Sequence, residues 1–420
     1  MSSPSPASPV PPGRGLPFRE FVTLVAALMA INALGIDSML PALPHIAHSL
    51  GLTTANQQQW VISAYILGMG ASQLLFGPLA DRFGRRTPVL FCLALYAITS
   101  LLASVATSFT AIILARVLQG MGAAGTRVIS VAMVRDRYEG REMARVMSLA
   151  FMVFLAVPML APSVGALVML VAPWRTIFHV LAGFAVFVAI WIVWRVPETL
   201  HAEHRRPIEA GTLIEAARTV ITNRTSLGYT AALTLSFGGM VGFINSAQQL
   251  FTGPLHGTEK HFPIFFAFVA GGMAIASFTN SRIVMRLGTR RVSHTALLLF
   301  ILLTGVHLAA TVLFGDNLTS FALFQCAMLF CAGLMGSNFG AMAMEPMGAI
   351  AGTASSIQGM LSTLGGALIG VAIGQSYDGT ATPVVTGYFL CSLGILAMVL
   401  FAEKGGLFRP HHSDPLPLDQ

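Results

Sequence analysis

Asp37 stands in the string AINALGIDSMLPALPHIAHSL, which starts at residue 30, and no other ionisable side chain occurs between Phe21 and Leu43. A carboxylate alone in hydrocarbon costs about 2.5–3.5 kcal/mol on insertion scales, and burial favours the neutral carboxyl over the ion. A buried carboxyl that water still reaches can load and release protons. The competing reading is a structural Asp, bonded to a neighbouring helix or capping a break before Pro41. Arg116 and Gln119 form a second group, three residues apart on one helical face, and are followed by Gly120, Gly122, Ala123, Ala124 and Gly125. Arg116 either pairs with Asp37 or extends outward to the membrane interface. Arg127, further along the same apolar stretch, is expected to extend to the inner surface in the same way. A third group is GPLADRFGRR, residues 77–86. Gly84 permits a tight turn, and Asp81 among Arg82, Arg85, Arg86 and nearby helix ends can form a charge-and-dipole latch. A loop that merely carries positive charge explains the arginines but not the Asp or the glycine spacing of Gly77 and Gly84.

The elements that must position these groups follow from composition. Of 420 residues, 55% are hydrophobic and 10% charged, against about 25% charged in soluble domains. So little charge cannot cover a water-exposed surface, and the chain reads as a polytopic membrane protein. Twelve apolar stretches reach the roughly 20 residues that a bilayer-crossing helix needs. They run about 20–43, 57–80, 87–107, 109–133, 144–168, 175–195, 226–250, 262–286, 293–314, 318–342, 353–376 and 384–402. Backbone in lipid must satisfy its own hydrogen bonds, so these are helices, and no strand-like alternation competes. With the N-terminus inside, twenty of the 24 basic residues fall at the inner face, and only Arg175 and Lys260 fall outside. That asymmetry puts both termini in the cytoplasm. The four cysteines match no metal or redox spacing. No basic stretch is interleaved with stacking aromatics, so nucleic acid is not an expected partner.

The domain reading is a disordered Pro/Ser-rich tail at 1–17, a six-helix bundle at 18–195, a cytoplasmic linker at 196–225, a second six-helix bundle at 226–402 and a tail at 403–420. Within the linker, Leu213, Ala217, Val220 and Ile221 share a face, which is either a short helix on the membrane surface or a flexible connection. Arg82-x-Gly84-Arg85-Arg86 is echoed by Arg286-x-Gly288-x-Arg290-Arg291 at the same place in the second half, as expected of a 6+6 duplication. Met285 stands where Asp81 would align, so only the first half is expected to complete its latch. Pro158 and Pro162 remove two backbone donors four residues apart and, with Gly165, mark either a gating bend or a static kink in span 5.

GPLADRFGRR resembles the G-x-x-x-D-R-x-G-R-R signature of the major facilitator superfamily. Arg116-Val-Leu-Gln119-Gly120 resembles its R-x-x-Q-G element. Pro158-Met-Leu-Ala-Pro162-Ser-Val-Gly165 resembles the Gly/Pro-rich element of its antiporters, with Val157, Ala161 and Ala166 at positions where the strict pattern has Gly. Asp37-Ser-Met-Leu-Pro41-Ala-Leu-Pro44, Pro197-Glu198-Thr199 and Gln375-Ser-Tyr-Asp378-Gly379 look like the Bcr/CflA type of drug:proton antiporter. The resemblance implies an all-α membrane fold of two six-helix bundles. It implies a proton-coupled efflux antiporter working by alternating access, with Asp37 and Arg116 in proton coupling, and a bacterial inner-membrane location. A proton-coupled uptake symporter or dedicated metabolite carrier of the same fold is the alternative.

Tyr65, Gln119, Phe151, Phe154, Phe237, Asn245 and Asn338 are candidates to line a central cavity for a hydrophobic or amphipathic substrate. No cofactor or metal is expected; the proton gradient supplies the driving force, and a monomer suffices. No HExxH, Ser-His-Asp frame or P-loop points to an enzyme.

Overall fold

Residues 16–200, 203 and 210–408 are described in a computed structural model of the chain. The expected N-terminal tail up to residue 15 and the tail from 409 lie outside the described residues. Among the described residues there is no strand, and twelve helices are long and apolar enough to cross a membrane. Spans 1 to 6 are Phe18–Ser49, Ala55–Phe83, Arg86–Val105, Phe109–Arg137, Gly140–Val171 and Arg175–Arg195. Spans 7 to 12 are Arg224–Thr252, Glu259–Leu287, Thr289–Phe314, Leu318–Gly348, Ala351–Gln375 and Thr382–Ala402. Several exceed their sequence-predicted lengths because hydropathy falls where charges begin, while the hydrogen-bond ladder continues past them. Polar caps fix the start of three of them: Ser108 accepts from the Ala111 N–H, Asn223 from the Ser226 N–H, and Asn317 forms a capping box with Ser320.

Span 1 is not one helix. Its α-helix, Phe18–Asp37, ends at the acidic residue. A 3₁₀ turn over Leu40–Ala42 and a short helix, Leu43–Ser49, follow, each with a proline in its first turn. Pro41 and Pro44 lack the N–H that would continue the ladder, so the break is built into the sequence. Span 5 stays helical through Pro158 and Pro162.

The linker carries a helix, Ala210–Thr222. It packs on the bundle rather than lying alone on the membrane: Ala216 and Val220 are buried against Met347, Ala354 and Ile357. Ala216 takes the inner place on the face expected of Ile221, which is 49% exposed.

Spans 1–6 and 7–12 form two halves that meet through span 2 on span 11 and span 5 on span 8. Within the first half, spans 2 and 4 touch backbone to backbone. A Cβ on Gly68 would strike the Val117 carbonyl, and one on Gly120 would strike the Tyr65 carbonyl. Small residues replace the hydrophobic driving force that membrane helices lack. The echoed loops share a conformation: Gly84 has φ 88° and ψ 173°, Gly288 φ 82° and ψ 155°, a region that only glycine enters freely.

Gly120→Val should therefore force spans 2 and 4 apart, at a cost of about 1–3 kcal/mol. The expected outcome is a lower melting temperature in detergent, read by thermal-shift size-exclusion chromatography. Gly336→Ala, whose Cβ would meet nothing within 4 Å, should leave melting unchanged or slightly raised.

Candidate functional site

The close approach of spans 2 and 4 leaves Arg116 nowhere to extend. It is fully buried, so it does not run out to the interface. Its guanidinium donates from Nε to the Val61 carbonyl at 2.7 Å, from Nη2 to the Gly35 carbonyl at 2.8 Å and from Nη1 to Gln119 Oε1 at 2.6 Å. It lies 4.4 Å from the Tyr65 ring centroid. Gln119 Nε2 donates onward to Ser100 Oγ at 2.6 Å, which joins span 3 to spans 1, 2 and 4. Arg116 is not bonded to Asp37 in this conformation.

Asp37 is 4% exposed and makes no hydrogen bond or ion pair with any described residue. It sits at the C-terminal end of its helix, where the helix dipole presents partial negative charge. An ionised Asp gains nothing there as a structural cap, and no neighbouring helix bonds it. Span 5 closes over this break: a Cβ on Gly165 would strike the Ser38 carbonyl and come within 3.1 Å of Pro41 Cγ. The Pro158–Gly165 element is thus packed directly on the residues that follow Asp37.

At the arginine-rich end Arg85 donates to Asp81 at 2.5 Å and to Asp136 at 2.7 Å. Glu198 accepts the backbone N–H groups of Arg85 and Arg86 and fills the space a Cβ on Gly84 would need. Arg82 is exposed and lies over Phe83. The second half corrects one expectation. Met285 is exposed, as no partner for an arginine should be, yet a charge cluster still forms. Arg290 donates to Glu345 at 2.9 Å and to Glu403 at 2.8 Å. Glu345 lies in the last turns of span 10 as Asp136 lies in the last turn of span 4, and Glu403 follows span 12 as Glu198 follows span 6. Both clusters lie within their own halves.

Between the halves a cavity of about 1130 Å³ opens toward the arginine-rich end. Gly77, Asp81 and Arg135 stand on its wall near the mouth. Gln73, Arg127, Leu233, Phe237, Gln358 and Thr363 line it further in. Gln73 accepts from Thr363 Oγ1 at 3.2 Å, where span 2 meets span 11. Beyond that contact the halves are sealed by uncharged amides. Gln59 donates to Gln249 Oε1 at 2.6 Å, Gln249 to the Ala55 carbonyl, Asn56 to the Gln375 and Tyr377 carbonyls, and Gln375 back to the Asn56 carbonyl.

Of the candidate lining residues, Phe237 is on the cavity wall. Tyr65 and Gln119 belong instead to the buried Arg116 cluster. Asn245 is buried and donates to the Gly370 carbonyl, and Asn338 is buried and donates to Asn280 and the Leu334 carbonyl. Phe154 is half-buried against the core; the side chain of Phe151 lies outside the described residues. Gln73, Gln358 and Thr363 were not singled out from sequence, because a lone amide or hydroxyl in an apolar run carries no motif. Arg127 is exposed into the cavity rather than extended to the inner surface.

Comparison with known proteins agrees with this architecture. The Major Facilitator Superfamily model matches residues 25–370. The chain is 32% identical over 383 residues to the MFS-type transporter YdgK of Bacillus subtilis, covering 89% of this chain and 93% of that protein. It is 28% identical over 388 residues to a bicyclomycin resistance protein homolog of Haemophilus influenzae, covering 91% and 96%. It is 29% identical over 399 residues to the multidrug resistance protein MdtL of Escherichia coli O157:H7, covering 93% and 98%. The crystal structure of the human organic anion transporter MFSD10 superposes with a TM-score of 0.69 at 19% identity, over 92% of this chain and 100% of that one; this likeness speaks to fold alone.

Two outcomes follow from the geometry. Arg116→Lys keeps the charge but loses the planar fork, and each carbonyl left unsatisfied costs about 1–3 kcal/mol; melting in detergent should fall well below that of the parent. Gln249→Leu removes three side-chain bonds at the amide seal, to Ala55, Asn56 and Gln59. Hydrogen-exchange mass spectrometry should then show faster exchange at 55–60 and 374–378, and unchanged rates would mean that the amides do not hold this end shut.

Proposed function

The chain belongs to the Major Facilitator Superfamily, and we propose that it works as a proton-coupled exporter of small amphipathic compounds. It is a transporter rather than an enzyme, and a multi-pass protein of the inner membrane. The observation that carries the proposal is Asp37: an acidic side chain buried inside a span, with no cation on it, at a helix break packed by span 5. Relatives named for multidrug and bicyclomycin resistance support the export direction.

The mechanism builds on Arg116. One of its three hydrogen-bond acceptors is the Gly35 carbonyl, two residues before Asp37. While Asp37 is neutral, the guanidinium stays on backbone and Gln119. When Asp37 loses its proton, the carboxylate is a stronger acceptor than the Gly35 carbonyl and draws Arg116 toward it. That exchange disturbs the contact of Gly165 with Ser38 and favours a second arrangement of spans 1 and 5. A proton drives transport only if the two arrangements bind it with different affinity, and the change of partner at Arg116 supplies the difference.

With the arginine-rich end in the cytoplasm, the cavity loads substrate from inside while the amides at Gln59, Gln249 and Gln375 keep the outer end closed. Reversal opens the amide seal and closes the mouth. Asp81, held by Arg85 on one oxygen, stands across the cavity mouth from the uncapped start of span 11 at Ala351. A carboxylate is favoured at such a helix terminus, so docking Asp81 there is the closing contact at the inner face. The sequence-expected latch is then open in the present conformation, its partner being span 11 rather than its own loop.

Proteoliposomes carrying an imposed pH gradient test the coupling. Cationic, neutral and anionic amphipathic dyes are added in turn, with internal pH and dye followed together. The parent protein should move protons only when a dye is present. Asp37→Asn should abolish dye-dependent proton movement and uphill accumulation while leaving dye exchange at equal concentrations. Equal proton movement in both proteins would sink the assignment of Asp37.

A further inference from the structure

Deep in the cavity, past the charged groups at its mouth, stands a charge that the proton cycle does not use. Arg127 lies ten residues from Arg137 at the inner end of span 4, about 15 Å along the helix. A guanidinium side chain cannot span that distance to the surface, and this one stands in the cavity wall instead. Its guanidinium has no hydrogen bond or ion pair with any described residue. Arg85 and Arg290 each hold two carboxylates, and Arg116 holds two carbonyls and an amide; Arg135 also lacks an ion pair among the described residues, but it stands exposed at the mouth, eight residues nearer the end of span 4. Of the acids on the cavity wall, Asp81 and Asp136 are taken by Arg85, and Glu203 stands with them at the mouth.

We propose that Arg127 makes this cavity selective for amphipathic anions: compounds with a carboxylate or similar oxyanion on an aromatic or alicyclic body. The inference rests on the reading of this cavity as the transport site. An uncompensated cation at membrane depth is costly, and a partner that arrives and leaves accounts for its being unpaired. The planar fork of Arg fits a carboxylate by two parallel hydrogen bonds. The rest of the inner lining fits the remainder of such a molecule. Phe237 and Leu233 supply an apolar platform, Gln73 and Gln358 supply amides, and Ser362 Oγ is buried there with no partner. The same charge works against a cationic substrate, since like charges in a low-dielectric cavity repel. Arg127 is therefore both the attractive group for one class and the repulsive group for the other.

Two xanthene dyes of similar size and opposite charge, fluorescein and rhodamine 6G, separate the cases. Binding to the purified full-length protein in detergent is read by fluorescence polarisation at pH 7.5, and export by the energised proteoliposomes described above. Fluorescein should bind at least tenfold more tightly than rhodamine 6G. Arg127→Gln should remove that preference, and Arg127→Lys should keep part of it. Because Arg127 has no partner to lose, Arg127→Gln should melt at the parental temperature, which distinguishes lost binding from lost folding. Equal binding of the two dyes by the parent, or a preference unchanged in Arg127→Gln, would overturn the inference. Export of rhodamine 6G without binding or export of fluorescein would overturn it too, and leave the exporter reading intact. Binding of fluorescein through Arg127 with no dye exported would instead support the anion site and count against export.

Discussion

A guanidinium that has neither water nor a carboxylate to satisfy it holds the first half together. Arg116 is fully buried, and its hydrogen bonds end on backbone of spans 1 and 2 and on Gln119 of its own helix, which carries the connection to span 3. The arrangement requires the backbones of spans 2 and 4 to touch, which Gly68 and Gly120 allow. It also requires the Gly35 carbonyl to be in reach, which depends on span 1 remaining helical to Asp37 and breaking just after it. Small residues, the proline break and the buried charge are one constraint seen from three positions. A buried charge without its partners would cost several kcal/mol, so the chain has little freedom to place spans 1, 2 and 4 otherwise.

The two ends of the molecule are built from different chemistry. The far end uses neutral amides and carbonyls, which can be taken out of water and put back at modest net cost because each hydrogen bond exchanges for one to solvent. The arginine-rich end uses ion clusters, each tied within its own half by Arg85 or Arg290. Clusters of that kind stiffen each half as a unit without joining the two. Rigid halves with a reversible amide seal between them are what a rocking motion about a midplane cavity demands.

Much of this was legible from sequence. Twelve spans, the two halves and the repeated arginine-rich loop follow from apolar length and the echo at Gly84 and Gly288, because lipid leaves a backbone few options. The second charge cluster was missed. Glu345 and Glu403 are separated from Arg290 by 55 and 113 residues, and a local echo that contained only Met285 gave no hint of them. Single polar residues were misplaced for a related reason. Tyr65 and Asn245 look like cavity residues because they are polar within apolar helices, but which way a helix turns them depends on its neighbours. Hydropathy identifies a span; it does not say which side of that span faces water.

Arg116 and Arg127 illustrate the point. Eleven residues apart, they lie on nearly the same face of span 4, three turns or about 16 Å along it. One is fully buried and bonded to backbone, and the other is exposed and unbonded. The difference comes from where the halves have met: they are closed beyond Gln73 and Thr363 and parted below them. A single helical stripe thus presents a buried arginine at the sealed level, proposed above to answer the proton, and a cavity-facing arginine at the open one, proposed above to meet substrate. Any motion that moves the point of contact inward along span 4 changes the surroundings of both at once. In the proposed cycle, proton and substrate therefore need not compete for one group, because the same helix would carry the state of each to the other.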